Sequence, residues 1–182
     1  MNTTRHKCFI SYHHANDQYY KDKFVKLFDD YLDIFIDKSV SDGDISDDCS
    51  MDYIMQQIRE NYLSDSSVTI VLIGKETWKR KYIDWEISAS IRNTQKNPRS
   101  GLIGILLPSH PDFGTGKYHS NIIPPRLSDN LECNFAKIYN WSENPIAIQK
   151  WIDEAFDRKD KIQPDNSRKL FGKNKTGEYW TD

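Results

Sequence analysis

Two runs, VTIVLI from Val68 to Ile73 and LIGILL from Leu102 to Leu107, carry almost no polar side chains. A strand with one wet face alternates apolar and polar residues, whereas a strand apolar on both faces must be covered on both. Each run ends at a breaker, Gly74 and Pro108 respectively. Between them, KETWKRKYIDWEISASIRN (Lys75 to Asn93) has helical periodicity. A doubly buried strand, a helix and a second doubly buried strand predict a parallel sheet with helices on both faces.

The remaining chain extends this pattern. Residues Lys7 to Tyr12 (KCFISY) read as a first strand, and Asn16 or Asp17 as the cap of a helix carrying Tyr20, Phe24, Leu27, Phe28 and Tyr31. A short edge strand is expected at Asp33 to Ile36, followed by a polar loop, DKSVSDGDISDD, turning at Gly43. Asp48 or Ser50 caps a second helix with Met51, Ile54, Met55, Ile58 and Tyr62 on its apolar stripe. A long connection runs from Pro108 to about Asn134, then FAKIYNW reads as a fifth strand. Asn144-Pro145 starts a last helix, buried through Ile148, Trp151, Ile152, Ala155 and Phe156. The expected fold is a flavodoxin-like, doubly wound, three-layer α/β sandwich with a five-stranded parallel sheet in the order 2-1-3-4-5. Residues 1–159 form the domain and 160–182 a tail, with Leu170-Phe171 and Tyr179-Trp180 able to pack back on it.

Composition narrows the function. The 182 residues suit one domain, and a net charge of −2 leaves no basic footprint for nucleic acid. Cys8, Cys49 and Cys133 are too few and too scattered for a disulfide framework or a zinc site. The opening MNTTRHK has no apolar signal core, and no run approaches the roughly 18 apolar residues of a membrane span. A cytoplasmic location without membrane attachment is expected.

The helical stretch holds an anomaly. On its wheel Glu86 is centred on the apolar side, flanked by Tyr82, Ala89, Trp78 and Trp85 on one hand and by Ser90, Ile83, Ile87 and Ile91 on the other. Asp84, Ser88, Lys81 and Arg92 take the opposite, solvent-like face. A buried carboxylate is costly unless paired, hydrogen-bonded or protonated. Either Glu86 snorkels to a nearby Arg or Lys, or it is kept for function. In an open parallel sheet, ligands bind beyond the carboxyl ends of the strands where the winding reverses. That crevice receives Ser11, Tyr12 and His13, then Gly74-Lys75, and Asp37 from the second strand. Ser11 could equally be a turn residue, His13 a surface residue and Asp37 a loop cap. Lys79-Arg80-Lys81 could meet a pyrophosphate or simply face solvent. GTGK at Gly114 to Lys117 lacks P-loop spacing, SDGDISDD lacks an EF-hand's closing Glu, and His13-His14 lacks a third ligand, so no metal is inferred.

The segments CFISYHHAND, SVTIVLIG and KETWKRKYIDWEI resemble the first strand, central strand and Glu-bearing helix of TIR domains. They are closer still to the TIR-like proteins of Thoeris anti-phage defence, the ThsB type, over about residues 6 to 158. Tyr82 and Glu86 keep the four-residue spacing between an aromatic and the glutamate of catalytic TIR domains. Tyr82 stands where Trp is usual, Ile83 where Cys is usual, and an acidic SDGDISDD replaces a Pro-Gly loop. The resemblance implies cleavage of the nicotinamide–ribose bond of NAD, with Glu86 catalytic. Ser11, Tyr12, His13, Asp37, Trp78 and Tyr82 are the candidate substrate contacts. It implies NAD as substrate with no separate cofactor, and a cyclic or conjugated ADP-ribose signal read by a separate effector. Self-association through TIR-type contacts belongs to the same picture. The alternative is a non-catalytic TIR-type interaction module. A phospho-acceptor reading fails, because Ser11-Tyr12-His13 and Gly74-Lys75 stand where acidic residues would be needed.

Overall fold

A computed structural model of the chain describes residues 6–28, 35–36, 40, 44–46 and 48–182. The strands are β1 (Cys8–Ser11), β2 (Phe35–Ile36), β3 (Val68–Ile73), β4 (Gly101–Leu106) and β5 (Ala136–Asn140). The helices are α1 (His14–Lys26), α2 (Met51–Asn61), α3 (Lys81–Ile91), α4 (Pro125–Glu132) and α5 (Pro145–Arg158). All strand pairs are parallel, in the order β2-β1-β3-β4-β5. Four strands make the body of the sheet, and the two-residue β2 lies along the outer edge of β1.

Alternation along the strands assigns the layers. Ile10, Ile70, Leu72, Ile103 and Ile105 pack against Phe24 and Phe28 beside α1 and against Ile148 and Ile152 of α5. Val71, Ile73, Leu102 and Leu106 meet Ile83 and Ile87 of α3 and Leu127 of α4. Phe9 packs with Ile54, Met55 and Ile58 of α2 and with Tyr82, Trp85 and Ala89 of α3. Phe9 and Ser11 therefore share the α2–α3 side of the sheet.

Local chemistry moves several helix ends. The first helix starts at His14 with His13 at the N-cap and no side-chain capping bond, so neither Asn16 nor Asp17 caps it. Asp17 instead turns inward, is almost fully buried, and accepts from Thr77 Oγ1 at 3.3 Å. Burial pushes its carboxyl up to about 6, against the hydrogen bond from Thr77. Ser50, the other expected cap, does serve, accepting from the Tyr53 amide at 3.3 Å. The stretch read as one helix from Lys75 is broken. A 3-10 turn spans Thr77–Lys79, Arg80 is extended, and α3 begins at Lys81. Thr77 Oγ1 accepts from the Gly74 amide at 2.8 Å, a local bond that competes with continuous helix.

The Asp17 carboxylate explains Gly74. A Cβ there would lie 2.4 and 2.5 Å from the two Asp17 carboxylate oxygens. Gly74→Ala is expected to cost about 1–3 kcal/mol by overpacking, read from urea midpoints. Adding Asp17→Ala should recover part of that loss, whereas purely additive losses would dissociate the two sites.

Two stretches hold more structure than their sequence announces. The long connection after Pro108 is not irregular throughout, since it contains a 3-10 turn at Ser120–Ile122 and the helix α4. The supposed solvent face of α3 is also buried: every residue from Lys81 to Ile91 is inside. Residues 165–175 lie along it. Ser88 Oγ donates to Asn166 Oδ1 at 3.0 Å, Asn166 Nδ2 returns a bond to the Ser88 carbonyl at 3.1 Å, and Trp85 Nε1 donates to the Phe171 carbonyl at 2.8 Å. Asp84 accepts from Arg126 Nε at 2.9 Å and from the Phe171 amide at 3.0 Å. Farther on, Trp180 Nε1 donates to the Ile123 carbonyl at 2.8 Å.

Candidate active site

Glu86 reaches the carboxyl end of β1 from the second turn of α3. Its side chain is 1% exposed. Ser11 Oγ, from the last residue of β1, donates to Glu86 Oε2 at 2.5 Å. The Val40 amide donates to Oε1 at 2.7 Å. Each carboxylate oxygen thus has one donor, and among the described residues no cationic partner is involved, which speaks against the snorkelling and ion-pair readings. Burial dominates and pushes the Glu86 carboxyl up to about 8, while the bonds from Ser11 and Val40 pull the other way. Burial therefore favours the protonated form well above the pH at which an ordinary carboxyl ionises.

A pocket of about 180 Å³ opens beside this group, walled by Tyr12, His13, His14, Val40, Arg80 and Tyr82 among others. Tyr12 donates to Gln18 Oε1 at 2.7 Å and its ring lies 4.5 Å from that of His14. Tyr82 meets Trp85 edge to face, ring centroids 5.2 Å apart, and Lys81 Nζ sits 4.9 Å from the Tyr82 centroid. Glu86 itself is not on the pocket wall; Val40 and Tyr82 are.

The sequence-derived candidates divide accordingly. Ser11 and Glu86 are joined directly, and Tyr12, His13 and Tyr82 share the adjoining pocket. Trp78 is 2% exposed in the 3-10 turn and lies off the pocket wall. Asp37 lies outside the described residues. Of two further participants, Val40 carried no signal for a reader of the sequence and Arg80 only a weak one. The Val40 contribution is a backbone amide, which any residue but proline could offer. Arg80 walls the pocket, and its Nε is buried without a partner among the described residues. Its only hint was the Lys79-Arg80-Lys81 run, of which Lys81 turns out to be buried.

A parallel α/β sheet flanked by helices in this way is compatible with a TIR-like fold. The family model for the Thoeris protein ThsB, TIR-like domain, matches residues 9–112, more than half of the chain. The chain belongs to that family. No curated protein matches it. Among the described residues, no helix is long and apolar enough to cross a membrane.

Proposed function

We propose that this protein is an anti-phage defence enzyme that cleaves the nicotinamide–ribose bond of NAD and releases a cyclic or conjugated ADP-ribose signal for a separate effector. The observation that carries the reading is Glu86, a fully buried carboxyl with no cation beside it among the described residues, bonded to Ser11 and to the Val40 amide at the edge of a pocket. Such a group destabilises the fold and calls for a functional reason.

One carboxylate suffices for this chemistry. The nicotinamide ring is cationic in NAD and leaves neutral, so no general acid is required, unlike the paired carboxyls of ordinary glycosidases. The task is to stabilise an oxocarbenium-like ribose with a fixed negative charge where water is scarce. The cationic ring also supplies the counter-charge that would bring Glu86 down from about 8 and ionise it on binding. Arg80 stands on the pocket wall where a pyrophosphate could meet it, and the Tyr82 ring where a base could stack.

The pocket of about 180 Å³ is smaller than the roughly 300–1,000 Å³ of ordinary small-molecule sites. A dinucleotide therefore requires opening. The Val40 bond is the one to break, because its release frees Oε1 toward the pocket that Val40 helps to wall. This describes a resting, closed enzyme. The second reading, a TIR-type interaction module without catalysis, draws on the same closure, since Glu86 is off the pocket wall.

Incubation with NAD, with and without lysate from phage-infected cells, followed by mass analysis, tests the proposal. Nicotinamide release with most of the remainder as a cyclised or conjugated ADP-ribose is the expected result. A well-oriented internal nucleophile competes at effective concentrations up to about 10⁵ M, far above that of water. Nearly quantitative free ADP-ribose would make the protein a depleting hydrolase. No nicotinamide under either condition would leave the interaction module.

A further inference from the structure

A second cavity, of about 450 Å³, lies between α2 and the far end of α3. Ala89 on its wall is seven residues beyond Tyr82, about 10 Å along the helix axis from the pocket beside Glu86. Its distinguishing feature is Arg59. This side chain is 7% exposed, and its guanidinium is anchored through Nη2, which donates to the Pro98 carbonyl. Nε and Nη1 are buried and have no partner among the described residues. Among the described residues no carboxylate bears on it, and burial lowers its pKa. A buried guanidinium with two empty donors is costly, and the ligand chemistry that completes it is an oxyanion.

The charges around the cavity agree. Arg92 at its mouth is engaged by Asp52, with both guanidinium nitrogens 3.3 Å from Oδ1, in an exposed pair. Glu60 accepts from Gln56 Nε2 at 2.9 Å. Lys96, in the turn after α3, is exposed and also on the wall. Three cations therefore face two carboxylates. The cavity exceeds what a bare anion needs, and Met55 and Ala89 give it an apolar floor.

We infer that this cavity binds a phosphate-bearing small molecule, its phosphate on Arg59 and Lys96 and its apolar part against Met55 and Ala89. The site is separate from Glu86 and independent of the proposed NAD chemistry.

Calorimetric titration of the full chain at low ionic strength with inorganic phosphate and with AMP tests it. Saturable binding is expected, weakened about ten-fold or more by Arg59→Gln and several-fold by Lys96→Ala, and unchanged by Glu86→Gln. AMP binding more tightly than phosphate, with that gain lost in Arg59→Gln or Lys96→Ala, would assign a nucleotide phosphate and use of the apolar floor. Equal affinities would assign the free oxyanion to the Arg59 and Lys96 end. Should Arg59→Gln fail to fold, Lys96→Ala on the exposed turn decides. Absence of saturable binding by either probe, or equal binding by native protein and Lys96→Ala, overturns the inference.

Discussion

Glu86→Gln is expected to lower nicotinamide release by about 10³-fold or more while leaving the thermal midpoint unchanged or raised. The rate loss follows from removing the one charge that can face a ribosyl cation, a class of interaction worth on the order of 10²–10³ for a single neutral donor. The stability effect follows from protonation. Folded Glu86 titrates near 8, against an ordinary value of 4.5. Between those limits the unfolded chain gives up a proton that the folded chain keeps, so native stability falls as pH rises from about 4.5 to about 8. At 1.36 kcal/mol per unit the loss is on the order of 4 kcal/mol. Glutamine does not titrate and can still accept from Val40, so the variant should lack this slope. Its advantage over the native chain should be small near pH 5 and largest near pH 8. Parallel urea titrations at the two pH values read the difference. An unfolded variant would make Glu86 structural, and one with full turnover would remove it from the chemistry.

How much of this was legible in the sequence depends on where each residue's partner lies. VTIVLI and LIGILL announced buried strands because continuous apolar runs need no distant information, and the structure has β3 and β4 there. Asn144 before Pro145 announced α5, because capping is local; its side chain accepts from the Ile146 and Ala147 amides. The eight residues of α4 were not legible. They offer Leu127 and Leu131 but otherwise Arg126, Asn130 and other polar groups, whose partners lie some forty residues before or after them. Asn130 Nδ2, for example, donates to the Asp165 carbonyl at 2.7 Å. The polar face of α3 misled for the same reason: a helical wheel sees polarity, and only the returning tail shows that Asp84 and Ser88 are satisfied inside. At the site, Ser11 and Glu86 could be brought to one crevice by topology. The Val40 amide could not, since backbone donors leave no trace in a pattern of side chains.

The tail's hold on α3 sets the second large effect. Arg126 is 0% exposed and Asp84 2%, with Nε and Nη2 at 2.9 and 3.3 Å from the two carboxylate oxygens. Arg126 further donates through Nη1 to Asn166 Oδ1 at 2.8 Å and through Nη2 to the Arg168 carbonyl at 2.8 Å. One guanidinium thus joins α3, α4 and the tail. Removing Asp84 leaves that cation buried without its counter-charge, a loss of about 3–5 kcal/mol. For a chain of this length Asp84→Ala should lower Tm by on the order of 10 °C. Arg126→Met strands Asp84 and should cost a similar amount. Replacing both together removes the uncompensated charge, so the double variant Asp84→Leu/Arg126→Met should be more stable than either single variant, though the tail carbonyls of Arg168 and Lys169 lose their donor. Limited proteolysis supplies a readout of location, because cleavage after Lys159 should accelerate in both single variants before the sheet unfolds. If Asp84→Ala costs less than about 1 kcal/mol, or if the losses of Asp84→Leu and Arg126→Met measured singly simply add in the double variant, the pair does not hold the tail. The same lock bears on the site: Asp84 and Glu86 are two residues apart on α3, so loosening the tail on one side of the helix frees the element that carries the catalytic candidate on the other.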